Sequence, residues 1–262
     1  CSRRMLSLSE SLRGISSRQH LFHIYGLLYI FKIKNATINQ SIYGGGFEGD
    51  VLDSAIITFV NGTVDKDFVG GGYAGSVAND TNVTIQNGNI NGNLYGGGYN
   101  GDVLGNSTII INNANVTKNV YGGGFSGDIL GNSSLVISNG NFESSIYGGG
   151  YAGHIGADST ISFHGGTVSS NIYGGGYEGN ITNDTNISIT GGNILNNVYG
   201  GGFAGDAQNT NVSIRDTDSL IKKTSYYFEM SNDEDVRGLL EDLNILLSAQ
   251  YDDLLSMYEE AK

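Results

Sequence analysis

Short segments in which every second residue is apolar recur along most of the chain. Residues 83–85 (Val-Thr-Ile) and 161–163 (Ile-Ser-Phe) are two examples. This alternation is the period of a β-strand, whose successive side chains point to opposite faces. Further apolar residues follow at regular intervals, as Ile90 and Leu94 do after Ile85. Asn, Gly and Asp fill the intervals, so the pattern predicts short strands joined by tight turns.

The segments belong to a repeat of constant length. Each unit contains one glycine triplet, and the triplets begin at Gly44, Gly70, Gly96, Gly122, Gly148, Gly174 and Gly200, always 26 residues apart. A fixed period of this size is typical of a solenoid. At about 3.3 Å per residue, one unit is long enough for about three short strands and three turns. The repeat therefore predicts a right-handed parallel β-helix of about seven coils over residues 30–215, with one coil per unit.

The chain before residue 30 does not follow the repeat. Residues 21–31 form an apolar run, LFHIYGLLYIF, which His23 interrupts. The run is too short to span a bilayer, for which about 20 apolar residues are needed. An open solenoid end would expose strand edges and apolar core. We therefore interpret residues 1–29 as an N-terminal cap or an assembly segment, and we expect no transmembrane span.

The chain after the repeat, residues 216–262, is predicted to contain a linker and an acidic amphipathic α-helix. In the segment 232–261, three acidic residues lie in the first turn, where the helix dipole favours them. From Val236 to Met257, apolar residues then recur in steps of four and three, interrupted only by Gln250. Such a seam suits a coiled coil with another copy, and it equally suits packing on the solenoid end or on a neighbouring domain.

The composition excludes several classes of protein. The 42 glycines lack the every-third-residue spacing of collagen, and the chain has no proline. A hydrophobic fraction of 39% is too high for a disordered glycine-rich linker. The net charge of −13 repels phosphate backbones, so we expect no nucleic-acid partner. The one cysteine permits no internal disulfide.

Aromatic residues flank the glycine triplets on both sides. The column before the triplets contains Tyr95, Tyr121, Tyr147, Tyr173 and Tyr199, preceded by Tyr43 and Val69. The column after the triplets contains Phe47, Tyr73, Tyr99, Phe125, Tyr151, Tyr177 and Phe203. Stacked coils would bring the rings of each column into contact. The glycines between them either make room at a corner or bulge, or take a turn with positive φ.

Two hypotheses follow for the direction of the rings. In the first, the triplet is a corner or bulge and both columns pack inward. Strand alternation supports an inward direction for the second column, when it is counted back from the aliphatic residue at Val51 and its counterparts. In the second, the first column is an outward ladder beside a flat glycine strip. Such a ladder would stack against sugar rings or a partner protein. Its candidate ligand- or partner-binding residues are Tyr95, Tyr121, Tyr147, Tyr173 and Tyr199.

A further column contains most of the candidate chemistry. Its members are Asp50, Ser76, Asp102, Asp128, His154, Asn180 and Asp206. Asp102 and Asp128 would lie on adjacent coils, close enough to share a cation. Because the column also accepts Ser and His, we favour turn residues that accept backbone hydrogen bonds.

Catalytic and cofactor motifs are missing from the sequence. No Gly-Lys-Ser/Thr follows a triplet, and no serine stands in a nucleophile elbow. An enzyme built on a β-helix needs irregular loops to shape a cleft, whereas these units keep their length. We therefore predict a non-enzymatic protein without cofactor or metal site. A polysaccharide-active β-helix enzyme is the alternative, and it would use Asp102 and Asp128.

The repeat, aromatic-Gly-Gly-Gly-aromatic-x-Gly followed by an alternating strand and an Asn/Gly turn, resembles the glycine-rich repeats of large secreted microbial surface proteins. These include adhesin-like and autotransporter-passenger-like parallel β-helices. The resemblance covers residues 30–215 and implies an extracellular or cell-surface structural or adhesive module, with surface glycans or proteins as partners. The alternative is a subunit of an extracellular filament, which would assemble end to end through residues 1–30 and the helix 232–261.

Overall fold

Strands recur at three positions per coil in the computed structural model, which describes residues 29–215. The strands at the first position are β1 (Tyr29–Ile38), β3 (Ala55–Val64), β5 (Thr81–Ile85), β8 (Ser107–Ile111), β11 (Ser133–Ile137), β14 (Ser159–Phe163), β17 (Thr185–Ile189) and β20 (Thr210–Ile214). Those at the second are β6 (Asn89–Ile90), β9 (Asn115–Val116), β12 (Asn141–Phe142), β15 (Thr167–Val168) and β18 (Asn193–Ile194). Those at the third are β2 (Ile42–Tyr43), β4 (Phe68–Val69), β7 (Leu94–Tyr95), β10 (Val120–Tyr121), β13 (Ile146–Tyr147), β16 (Ile172–Tyr173) and β19 (Val198–Tyr199).

Strands at the same position pair in parallel from coil to coil. Val83 lies opposite Ile109, and Leu135 lies opposite Ile161, one repeat away in each case. The first and second positions join into one 13-stranded sheet because β3 spans both, and the third position forms a 7-stranded sheet. The predicted parallel β-solenoid of about seven 26-residue coils is thereby confirmed.

The described range contains no helix. The cap predicted for residues 1–29 coincides with a described strand only at Tyr29. The remainder of that segment and the helix predicted for residues 232–261 lie outside the described residues.

The alternation along each strand sends its apolar residues into the interior. Leu135, Ile137, Phe142 and Ile146 of one coil are all fully buried in the main aliphatic cluster. A second, separate apolar cluster follows the glycine triplets and consists mainly of Val51, Val77, Val103, Ile129, Ile155 and Ile181. Each of these side chains stacks on the equivalent side chain one coil away. Because the equivalent residues are also apolar, both clusters continue along the solenoid.

A column of buried hydroxyl groups accompanies these apolar clusters. Ser107 Oγ donates to the Gly122 carbonyl oxygen at 2.7 Å, and Ser133 Oγ donates to that of Gly148 at 2.6 Å. Ser159 repeats the contact with Gly174. At the equivalent position, the buried Thr81 Oγ1 has no hydrogen-bond partner. The hydroxyls therefore satisfy the carbonyl groups of the triplets in the later coils.

Substitution of Ser133 by alanine is expected to lower the free energy of unfolding by about 1–3 kcal/mol, because the buried Gly148 carbonyl loses its hydrogen-bond donor. Guanidinium unfolding followed by circular dichroism measures the change. Thr81→Val is the matched control, since it removes a hydroxyl that has no partner and should change stability by about 0.5 kcal/mol at most. Equal losses in the two variants would show that the hydroxyl bonds do not stabilise the solenoid.

Asn and Asp side chains link successive coils at the corners. At one corner, the backbone N–H of Asp128 donates to Asp102 Oδ1 at 2.9 Å, and that of His154 donates to Asp128 Oδ1 at 2.8 Å. Two more corner columns accept backbone N–H groups of the next coil in the same way. One contains Asp67, Asn93, Asn119, Ser145, Asn171 and Asn197. The other contains Asp80, Asn106, Asn132, Asp158 and Asp184. The middle coils are thus tied to one another at three corners.

Candidate functional site

The aromatic residues that flank the triplets form two parallel stacks. Adjacent rings of the inner tyrosine column, which comprises Tyr95, Tyr121, Tyr147, Tyr173 and Tyr199, have centroids 4.8–5.0 Å apart and planes within 10° of parallel. The outer aromatic column comprises Phe47, Tyr73, Tyr99, Phe125, Tyr151, Tyr177 and Phe203, with spacings of 4.5–5.3 Å and planes within 11°. Seven rings therefore stack without interruption across seven coils.

The inner tyrosine column lies beneath the outer aromatic column. Val120 packs in the main aliphatic cluster, whereas the next residue, Tyr121, packs in a separate aromatic cluster. Since successive side chains of a strand point to opposite faces, the tyrosine leaves the strand on the side away from the aliphatic core. The outer rings then cover it edge-on, as the Tyr121–Tyr151 pair shows with centroids 6.1 Å apart and an angle of 82°.

Neither of the two sequence hypotheses describes this arrangement in full. Tyr95 is 2% exposed and Tyr173 7% exposed, although they do not face the aliphatic interior. Tyr199, in the last coil, is 44% exposed. The binding role of the inner tyrosine column stays a prediction. The accessible aromatic surface of residues 29–215 belongs mainly to the outer aromatic column, which is half-buried in the middle coils and exposed at Phe47 and Phe203.

The first hypothesis placed the outer aromatic column in the interior because it counted strand alternation back from Val51 and its counterparts. The residues from Phe47 to Asp50 do not form a strand. Alternation therefore does not apply between Val51 and the ring. The residue after each outer ring was the available signal, because it changes among Glu48, Ala74, Asn100 and Ser126 and is exposed in all four.

The glycines of the triplets are required by close packing between coils. The φ angles of these glycines are not in the left-handed region, which in this solenoid is occupied by Gly62, Gly88, Gly140, Gly166 and Gly192 in other turns. A Cβ atom on Gly149 would lie 2.8 Å from the Gly176 nitrogen and 2.9 Å from its Cα. The space that these glycines leave is taken by the backbone of the next coil.

The exposed side of the outer aromatic column consists of ring edges. Each ring between Phe47 and Phe203 has another ring stacked on each of its faces. Among the described residues, only the two end rings, Phe47 and Phe203, have a face on which no ring of the column stacks. Ring edges carry partial positive charge, and the tyrosines add hydroxyl groups. Along its length the column is therefore suited to contacts with carbonyl, hydroxyl and apolar groups, and a sugar ring cannot stack between the rings.

The buried phenols have altered acidity. Burial raises the pKa of Tyr95 well above its ordinary value of 10.0, and the negative charge of Asp67 acts in the same direction. Burial also raises the pKa of Tyr121, an effect that the hydrogen bond from Asn119 Nδ2 to the Tyr121 hydroxyl, 3.1 Å long, partly offsets. Both phenols are therefore held in the neutral form.

These raised pKa values predict a loss of stability above about pH 10. Tyrosines of the unfolded chain lose their protons near their ordinary pKa of 10.0, whereas the buried phenols keep theirs. The unfolded state then binds fewer protons, so the free energy of unfolding falls as the pH rises past this value, and below it the contribution is constant. Guanidinium unfolding midpoints and tyrosinate absorbance between about pH 8 and 11 test this. Complete phenol titration near pH 10 in a folded chain would contradict the burial of these groups.

The aspartate column serves as a set of turn acceptors. Asp102 and Asp128 do lie on adjacent coils, and the Oδ1 atom of each accepts a backbone N–H of the following coil. His154 takes the same role, because its Nδ1 accepts the N–H of Asn180 at 2.9 Å. Among residues 29–215, no three His, Cys, Asp or Glu side chains come together in a way that could hold a metal ion.

A cavity of about 510 Å³ lies against the outer face of β14, β17 and β20. Thr160, Asn186, Ser188, Asn211 and Ser213 are among its lining residues. Their hydroxyl and amide groups can form hydrogen bonds with neutral polar molecules. The described lining residues include no ionisable side chain, so the serine and threonine hydroxyls there have no acid or base among them to activate them.

Comparison with known proteins adds no relative. No known protein family, curated protein or solved structure matches the chain. Within the part of the chain that the structure describes, no helix is long and apolar enough to cross a membrane. The solenoid fold accordingly rests on the strand pairing itself, and kinship with microbial surface proteins stays a prediction.

Proposed function

We propose that the solenoid is a non-enzymatic structural module of an extracellular or cell-surface protein, and that its outer aromatic column makes adhesive contacts. This proposal rests on the constant length of the coils. The long strands from β5 to β17 pair residue for residue at a fixed offset of 26, without an inserted loop. Combined with the three corner columns, this regularity favours a stiff spacer.

The hydrogen bonds that the carboxylates of Asp102 and Asp128 accept support a non-enzymatic role. Glycoside-cleaving enzymes use a pair of carboxyl groups on either side of the bond that they break. Asp102 and Asp128 instead hold backbone N–H groups at a corner of the solenoid. The cavity beside β17 and β20 contains no acidic residue among its lining residues.

An assay of polysaccharide cleavage tests the enzymatic alternative directly. Purified full-length chain would be incubated with a panel of neutral and anionic polysaccharides, and reducing ends and unsaturated products would be measured. We expect no cleavage above a buffer blank. Cleavage that the Asp102→Asn/Asp128→Asn double variant abolishes would replace the structural proposal with the enzymatic one.

The adhesive part of the proposal rests on the accessible ring edges. Stacked rings lose little conformational freedom on binding, and tyrosine offers a large contact area with a polar tip. The exposed neighbours Ala74 and Ala204 are small, which leaves the ring edges open to a flat partner. A protein surface or the hydroxyl edge of a glycan fits this chemistry.

Binding to printed glycans and to immobilised extracellular-matrix proteins tests the adhesive role. The Tyr99→Ala/Tyr151→Ala variant is expected to bind at least about tenfold more weakly, a change of about 1.4 kcal/mol. The control variant is Ile110→Ser/Val136→Ser, which alters the outward face of β8 and β11 and should bind normally. Absence of binding by the unaltered chain, or equal losses in both variants, would contradict adhesion through the outer aromatic column.

Exposure at the cell surface tests the proposed location. Intact cells that make the protein would be treated with an impermeant protease and probed with antibodies against residues 29–215. We expect loss of the signal without lysis, or recovery of the protein from the medium. A signal that disappears only after lysis would contradict the extracellular assignment, which draws its support from the resemblance of the repeat to those of secreted surface proteins.

A further inference from the structure

The edge strands at the two ends of the 13-stranded sheet differ in the features that prevent pairing with another strand. Within residues 29–215, β1 pairs only with β3 at the N-terminal end, whereas β18 pairs only with β15 and the longer β20 only with β17 at the C-terminal end. No described strand pairs with the outer row of backbone N–H and C=O groups of β20. Unprotected edges of this kind are templates for association, and proteins normally block them with lysines, bulges or strong twist.

The N-terminal edge carries such protection. Lys32 and Lys34 lie in β1, which places positive charge on the edge strand. The register with β3 shifts at Ile33/Lys34 and again at Lys34/Ala36. Asn35, between these shifts, has a φ of 52°. A bulge and two lysines together make β1 a poor partner for another strand.

The C-terminal edge strand β20 carries no lysine. The sequence of β20 is Thr-Asn-Val-Ser-Ile, which contains no charge, glycine or proline. All five residues are exposed, and Val212 and Ile214 are each 44% exposed although their counterparts Ile187 and Ile189 are buried. Within the described residues, the aliphatic core therefore ends at an exposed edge strand with high β-propensity.

We propose that β20 pairs in antiparallel fashion with β20 of a second copy, so that two solenoids join at their C-terminal ends and continue one sheet. In a pairing centred on Val212, Asn211 of one copy lies opposite Ser213 of the other, and Thr210 lies opposite Ile214. Residues directly opposite in an antiparallel pair point to the same face of the sheet. The alternation of β20 therefore places polar residues opposite polar ones outside, and β-branched residues together inside.

The second copy is the occupant that this edge fits best. A two-fold interface requires a surface that is complementary to itself, and an uncharged strand with polar residues at symmetric positions about Val212 meets that requirement. The asymmetry of the two edges also limits the assembly to two copies, because β1 does not offer a second open edge. The partner surface extends the coil-to-coil pairing already present from β3 to β20. This proposal adds a partner to the structural role and does not depend on the location proposed above.

Charge substitutions on the outward face of β20 test the pairing. Asn211→Lys/Ser213→Lys places lysine opposite lysine twice across the two-fold axis, whereas Asn211→Lys/Ser213→Glu places lysine opposite glutamate twice. Both variants remove the same Asn211–Asn186 side-chain hydrogen bond, so they are matched in what they change within one copy. Like charges directly opposite destabilise an antiparallel pair and unlike charges stabilise it.

Sedimentation velocity of the full chain over a concentration series provides the measurement, with circular dichroism to verify folding. We expect a dimer for the unaltered chain, at least a tenfold weaker dimer for the Lys/Lys variant, and recovery to the unaltered value for the Lys/Glu variant. A chain that stays monomeric at every concentration, or one in which both variants behave alike, would overturn the proposal. Growth beyond the dimer would also overturn it, because β1 would then be an open edge. None of these outcomes bears on the surface-exposure or adhesion tests, so the two proposals fail separately.

Discussion

Replacement of Gly149 by alanine is expected to lower the free energy of unfolding by about 3 kcal/mol or more, because the added methyl group overlaps backbone atoms that cannot move independently. Its Cβ would lie 2.8 Å from the Gly176 nitrogen and 2.8 Å from Ile181 Cδ1. The Gly149 N–H also donates to the Gly175 carbonyl of the next coil. Relief of the overlap would separate two coils along several hydrogen bonds and open the core beside them.

Gly201→Ala is the matched control for this substitution, since Gly201 has the same place in the last triplet. Among the described residues, its Cβ would meet only Thr210 Cγ2, at an ordinary contact distance of 3.9 Å. We expect a change of about 0.5 kcal/mol or less. Guanidinium unfolding measures both variants at protein concentrations low enough to avoid association. A comparable loss in the two would show that chain entropy, and not the overlap between coils, explains the glycines.

Replacement of Tyr121 by alanine is expected to lower the free energy of unfolding by about 3–5 kcal/mol, the usual range for a buried aromatic ring. The ring is 2% exposed and stacks on Tyr95 at 5.0 Å and on Tyr147 at 4.9 Å. Its loss would leave a cavity under the outer aromatic column and remove two ring contacts. Tyr121→Phe keeps the ring and should cost about 1 kcal/mol, because only the hydrogen bond from Asn119 is lost.

The same substitution at Tyr199 separates burial from stacking. Tyr199 also stacks on its neighbour in the column, with its ring 4.8 Å from that of Tyr173, yet it is 44% exposed. We expect Tyr199→Ala to cost about 1 kcal/mol, far less than Tyr121→Ala. Thermal and guanidinium unfolding of both variants would measure the difference. Similar losses at the two sites would mean that stacking alone, and not burial beneath the outer rings, stabilises the column.

Much of the fold could be predicted from the sequence because its causes are local and repeated. Apolar alternation at Leu135 and Ile137 identifies a strand whatever its neighbours are, and the constant interval of 26 residues allows that strand to meet its copy in parallel register. The Asn and Asp corners were predictable for the same reason, since such side chains accept backbone N–H groups in turns. The turn role favoured for Asp102 and Asp128 agrees with their hydrogen bonds.

The sequence by itself thus determined the period, the strands, the parallel stacking and the turn role of the aspartates. Only the tertiary structure decided which aromatic column is buried, because the direction of a ring beyond a glycine triplet depends on the path of a backbone that no longer alternates. It also decided why the triplets are glycine, since the atoms that exclude a Cβ from Gly149 belong mainly to the coil above it. The same holds for the open edge at β20. Whether a strand has a neighbour is a property of the stacked coils, and the five residues of the strand do not encode it.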